Sequence, residues 1–187
     1  AGSTGTIRMA GGTFTLPSLI DGGGTSNLDL PNGTMNLSGD FAVDNVWVGS
    51  NGGTAVLNVD GAVVIGSGAA STLNVAVVSA GGNTGGTGTL DFAGATSVAI
   101  NVGTMRIANS GNGNSSTGAV SLSGGTNTIQ ADHIIIGNRK SSATVSMAAG
   151  GSLDIQGQTS SRANLTIGRN DIDTGSIPLA TLDATAG

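Results

Sequence analysis

Short apolar bursts recur along this chain at nearly constant intervals, and that period restricts the fold more than any other feature. Bursts followed by Gly, Ala, Ser or Asp end at Ile20, Val48, Val78, Ile107, Ile136 and Ile167, which lie 28, 30, 29, 29 and 31 residues apart. Two further bursts sit between them in constant order. "LDL" at 28–30, "LNV" at 57–59, "LDF" at 90–92, "VSL" at 120–122 and "VSM" at 145–147 read as a first strand. "MNL" at 35–37, "VVI" at 63–65, "VAI" at 98–100, "NTI" at 127–129 and "LDI" at 153–155 read as a second, and the periodic bursts as a third. Two apolar residues separated by one is strand alternation, and a period of this length marks a repeat architecture.

Three short strands cannot bury an apolar face alone, but units stacked on one axis can, each strand pairing in parallel with its equivalent in the next unit. The expected fold is therefore all-β: a right-handed parallel β-helix of about six coils of about 29 residues, with three short strands per coil. Residues 1–187 read as a single β-solenoid domain and as a segment of a longer repeat array. Leu30, Val59, Phe92, Leu122 and Met147 should form one inward ladder, and Leu37, Ile65, Ile100, Ile129 and Ile155 a second.

Composition agrees with narrow coils. All 11 acidic residues are Asp, Lys and Arg total 6, Tyr and Cys are absent, and aromatics are 2%. The 34 glycines suit tight corners. A 37% hydrophobic content is high for a disordered chain. The net charge of −5 offers no cluster of cations for nucleic acid, and no apolar run is long enough for a membrane helix.

The Gly/Thr/Asn-rich units "GGTAVLNVDGAVVIG", "GTGTLDFAGATSVAI" and "TGAVSLSGGTNTIQADHIIIG" resemble the passenger regions of bacterial autotransporters and related surface proteins with autotransporter-type β-strand repeats. The resemblance extends over residues 7–187. It implies export, an extracellular or cell-surface location, and a role in adhesion or aggregation. It carries over no catalytic residue.

Candidate sites are few. The outward residues of the third strands read as Leu19, Trp47, Val77, Arg106, Ile135 and Thr166. Leu19, Trp47, Val77 and Ile135 would form an apolar interaction stripe, whereas Asp29, Asn58, Asp91, Ser121 and Ser146 on the first face are all polar. Exposed apolar stripes mark contact surfaces, and Trp47, the single Trp, would be the anchor. Asp171 and Asp173 in "GRNDIDTG" are weak Ca²⁺ candidates, because hard cations need more converging oxygens than this loop offers. Asp40, Asp44 and Asp60 read as turn formers. His133, the sole histidine, stands beside Asp132 at a strand entry, where a turn role is favoured over catalysis. Asp29 and Asp91 share a face in this reading but are two coils apart, too separated for a glycosidase pair. Asn32, Asn36, Asn114 and Asn164 open Asn-x-Ser/Thr sequons at chance frequency, and Thr residues do not stack as an ice-binding ladder would require.

The sequence thus points to a non-enzymatic, extracellular structural protein, a surface fibre, sheath or adhesin stalk without a cofactor. It would act through rigid coils and self-association. The alternative is a carbohydrate-binding or carbohydrate-processing β-helix whose partners are glycans or cell surfaces, which would show Asp, Arg and aromatic residues gathered along one outer groove.

Overall fold

The computed structural model describes residues 2–78, 84–110, 114–158, 162–170 and 177–185. These contain 15 strands and no helix, and every strand pair is parallel. Strands far apart in sequence lie side by side in one curled sheet, the arrangement of a parallel β-helix. The all-β, parallel, solenoid-like expectation holds.

Three files of equivalent triplets make up the sheet. On the first face, Thr15, Asn36, Asn58, Asp91, Ser121, Ser146 and Asp183 stack as successive outward residues. On the second, Val43, Ile65, Ile100, Ile129 and Ile155 stack inward. On the third, Ile7, Leu28, Val46, Leu73, Met105, Ile134 and Leu165 stack inward. Several strands bend across a corner and serve two faces. Thr25–Leu37 passes from the third face to the first, while Ala62–Val77, Ser97–Asn109 and Thr126–Asn138 pass from the second to the third.

From Val48 onward, the corner after each third-face triplet has one backbone solution. Gly49, Ala76, Ala108, Gly137 and Gly168 follow Val48, Val75, Ile107, Ile136 and Ile167, with φ of 68°, 53°, 52°, 69° and 66°. This left-handed turn is why these five triplets are followed by Gly or Ala. At Gly49 a Cβ would lie 2.0 Å from the Thr87 carbonyl oxygen, so the close approach of two rungs demands glycine there. A second small-residue file, Ala55, Gly88, Gly118 and Ala143, lies inside the same edge. A Cβ on Gly118 would come 2.9 Å from the Ala108 nitrogen.

The register departs from a uniform period near the N-terminus. Passing through Ile7, Leu28, Val46, Leu73, Met105, Ile134 and Leu165, the third face advances 21, 18, 27, 32, 29 and 31 residues. The first two advances are short because three-residue corners replace the long loops found later. Consequently "LDL" at 28–30 lies on the third face, with Leu30 against Val48. Leu37 belongs to the first face against Val59, and "FAV" at 41–43 supplies the second. From Val59 and Ile65 onward the two inward ladders run as expected.

The interior is a continuous apolar column in which Leu28, Leu57, Leu73, Leu90 and Met105 are buried. Among the described residues it holds one fully buried asparagine. Asn127 stands inward in line with Val98 and Leu153, and its amide donates to the carbonyls of Ser123 and Ser152 at 3.0 Å and of Gly125 at 3.2 Å. Its oxygen accepts from the Ser123 N–H at 2.9 Å and hydroxyl at 3.0 Å. With both ends satisfied, it staples a turn to the next rung at little desolvation cost.

Candidate functional site

The third-face register decides which outward side chains meet. The outer file reads Arg8, Asp29, Trp47, Asn74, Arg106, Ile135 and Thr166. Trp47 and Ile135 share it as expected, but Asn74 and Arg106 lie between them. Leu19 does not belong to it, being paired with Phe41 on the second face and packed against the core. Val77 pairs with Asn109, past the Ala76 corner. The continuous apolar stripe is therefore replaced by a mixed file, because the N-terminal turns are shorter than the repeat and Val75, not Val78, aligns with Val48.

What forms instead is a groove of about 490 Å³ around Trp47, lined also by Arg8, Asp29, Asn51, Asn74 and Val77. Trp47 and Val77 are half-buried, so two of the four residues expected in the stripe meet here by another route. The Arg8 Nε lies 3.0 Å from the Asp29 Oδ2, with side chains 68% and 32% exposed, and the pair leaves this end of the groove without net charge. Beside it an amide ladder runs from rung to rung. Asn45 donates to Asn27 at 2.9 Å, Asn27 donates to Thr6 at 3.3 Å, and the Asn45 oxygen accepts the Thr72 N–H at 2.9 Å. Asn74 is 6% exposed, and its carboxamide meets no hydrogen-bond partner among the described residues.

A second depression, of about 420 Å³, opens where the apolar column ends, and Ile7, Leu19, Ile20 and Val43 are among its lining residues. This is where Leu19 sits.

The aspartates behave mainly as turn formers and rung ties. Asp21, Asp91 and Asp183 accept the N–H two residues on, at 3.2, 3.1 and 3.0 Å. Asp40 accepts the Ala62 N–H of the next rung at 2.9 Å. Asp44, almost fully buried, accepts the Ser26 N–H at 2.9 Å and the Ser26 hydroxyl at 3.3 Å. Bonds from the Ser67 hydroxyl and then the Ser26 N–H hold its carboxyl below the usual range, outweighing burial. Asp29 and Asp91 lie on different faces, which corrects the expectation that they share one. His133 is exposed, paired between Thr104 and Asn164, and Asp132 accepts the Gln158 N–H at 2.9 Å. Asp171 and Asp173 lie outside the described residues, among which no three His, Cys, Asp or Glu side chains converge on a metal-sized point. No helix among the described residues is long and apolar enough to cross a membrane.

Sequence reasoning missed Arg8, Asn27 and Asn74 as companions of Trp47. The available signal was the alternation in "IRM", "LDL", "VWV" and "LNV", whose middle residues are Arg8, Asp29, Trp47 and Asn74. No protein-family model matches the chain, and neither the curated proteins nor the solved structures contain a match to it.

Proposed function

We propose that this chain is a non-enzymatic structural repeat protein of a surface fibre, sheath or adhesin stalk, working as a stiff rod that associates with copies of itself. Its finer winding is a right-handed parallel β-helix of about six coils, the hand that parallel crossovers adopt almost without exception. The extracellular setting rests on the autotransporter-type character of the repeats.

The observation that carries the reading is the state of the apolar column at its two ends. Mid-column, Leu28 and Leu73 are completely buried, yet Ile7 and Phe14 in the first rung are 39% and 46% exposed. In the last rungs, Leu165 and Ile167 are 41% and 44% exposed. Among the described residues the same files thus continue to both ends, and the terminal rungs present strand edges on which a further rung can pair in parallel. One end differs from the other, so stacking a second copy is head-to-tail, a contact that propagates as a filament.

The test is the assembly state across a concentration series, by light scattering and cryo-electron microscopy. The wild-type chain should form end-to-end filaments, and Ile7→Lys combined with Ile167→Lys should leave folded monomers with circular dichroism unchanged. A wild-type chain that stays monomeric at high concentration would overturn the proposal.

A further inference from the structure

We propose that the Trp47 groove is a saccharide site that takes one or two pyranose rings of an extended, neutral glycan. A pyranose has an apolar C–H face and a rim of hydroxyls, and the groove presents the complementary surfaces. The half-buried indole supplies a flat apolar platform, and Val77 extends it. Around it stand groups that both donate and accept: the Arg8–Asp29 pair on one side of Trp47 in the file, and Asn74 on the other. These side chains repeat at the rung spacing of about 4.8 Å, close to the length of one sugar in an extended chain. The groove volume of about 490 Å³ lies within the range of small-ligand sites, about 300–1,000 Å³.

Asn74 is the second, independent observation. It is 94% buried, judging from its 6% exposure, lines the groove and has no partner among the described residues. Its carboxamide is not one of the buried polar atoms without a partner, which among the described residues are Ser116 Oγ and Asn138 Oδ1, so the packed side chain opens its amide on the groove. Asn127 shows how fully this fold can satisfy such a group when its role is structural. A packed carboxamide that opens on the groove beside an aromatic platform is placed to bond a ligand hydroxyl.

Charge and backbone exclude other occupants. Arg8 is neutralised by Asp29, so a polyanion finds no cationic cluster. Trp47 itself stands in a rung paired on both sides, between Asp29 and Asn74, so beside the indole no strand edge is open to a peptide. The mixed polarity of the file likewise suits no amphipathic helix.

The test uses Trp47 as its own reporter, since the chain contains one Trp and no Tyr. Cellohexaose, chitohexaose and laminarihexaose are titrated separately while emission is followed, with calorimetry in parallel. At least one should give a saturable blue shift. Asn74→Leu should weaken that binding about tenfold or more while Tm stays level, because the carboxamide it removes makes no hydrogen bond to the described residues. Trp47→Ala should abolish the calorimetric signal, and Ile135→Ala, farther along the file, should leave it intact. The proposal is overturned by the absence of saturable change with all three sugars at millimolar concentration. It is equally overturned by undiminished binding to the Asn74→Leu chain, or by a response to polygalacturonate alone. None of these results bears on end-to-end assembly, which is read from different residues.

Discussion

Asp44 shows how one side chain can tie successive turns of the solenoid together. Its carboxylate accepts the N–H and hydroxyl of Ser26, 18 residues earlier, and its own N–H donates to the Ser26 oxygen at 2.9 Å. The Ser67 hydroxyl reaches it from the following turn and lowers its pKa most. A carboxyl whose pKa is depressed by folding stabilises the native state above its unfolded pKa, and that contribution disappears as pH falls through the folded value. The urea midpoint should therefore hold steady down to the ordinary aspartate value of 3.8 and decline below it. Asp44→Asn should be less stable at neutral pH and show a flatter decline in that acid window, as urea titrations from pH 6 to 2 would reveal. An Asp in "FAVDNVWV" is legible as a turn residue, but its bonding to residues 18 earlier and 23 later is invisible until the coils are stacked.

At the scale of the strand, position in the file determines what an apolar residue contributes. Leu73 and Leu165 occupy equivalent inward positions on the third face, Leu73 aligned with Met105, Met105 with Ile134 and Ile134 with Leu165. Leu73 is wholly buried and Leu165 is 41% exposed. Leu73→Ala should cost about 3 kcal/mol, combining lost transfer energy with a cavity that rigid neighbouring rungs cannot fill. Leu165→Ala should cost under about 1 kcal/mol, since much of its surface already meets water. Chemical denaturation of the two variants checks the contrast. The inward and outward sense of each triplet was legible from alternation alone, because a one-residue slip would turn every polar residue into the column. The neighbour of each triplet was not. "LDL" resembles "LNV" and "LDF" in composition, yet it pairs with "VWV".

For the whole molecule, a stack of units that touch only their neighbours is a quasi-one-dimensional system whose stability is graded along the axis. Burial follows that grade. Residues 4–15 are almost entirely exposed, and the 164–169 and 179–183 strands are open as well, whereas 97–109 alternates inward residues that are all buried. Amide hydrogen exchange should therefore be slowest in 97–109 and 73–75 and fastest at both ends, with protection falling progressively between. Uniform protection along the chain would show instead that the molecule opens as one cooperative unit. If a second copy covers the ends, their protection should rise with protein concentration, which links this measurement to the assembly experiment.

Alternating triplets, recurrent spacing, small residues at corners and an acidic set made up wholly of aspartate were enough by themselves to determine an all-β chain of stacked parallel turns, and to separate column residues from surface residues. Tertiary structure alone decided which turns stand next to each other. The physical reason is that lengthening a loop costs little free energy, whereas misaligning a buried ladder costs a great deal. Loops therefore vary, the third face advances by as few as 18 and as many as 32 residues, and an average period places the first turns on the wrong face. The Trp47 groove lies at that point. Arg8, Asp29, Trp47 and Asn74 are separated in sequence by unequal steps, and only pairing of their strands brings an ion pair, an indole and an unpaired amide into one file.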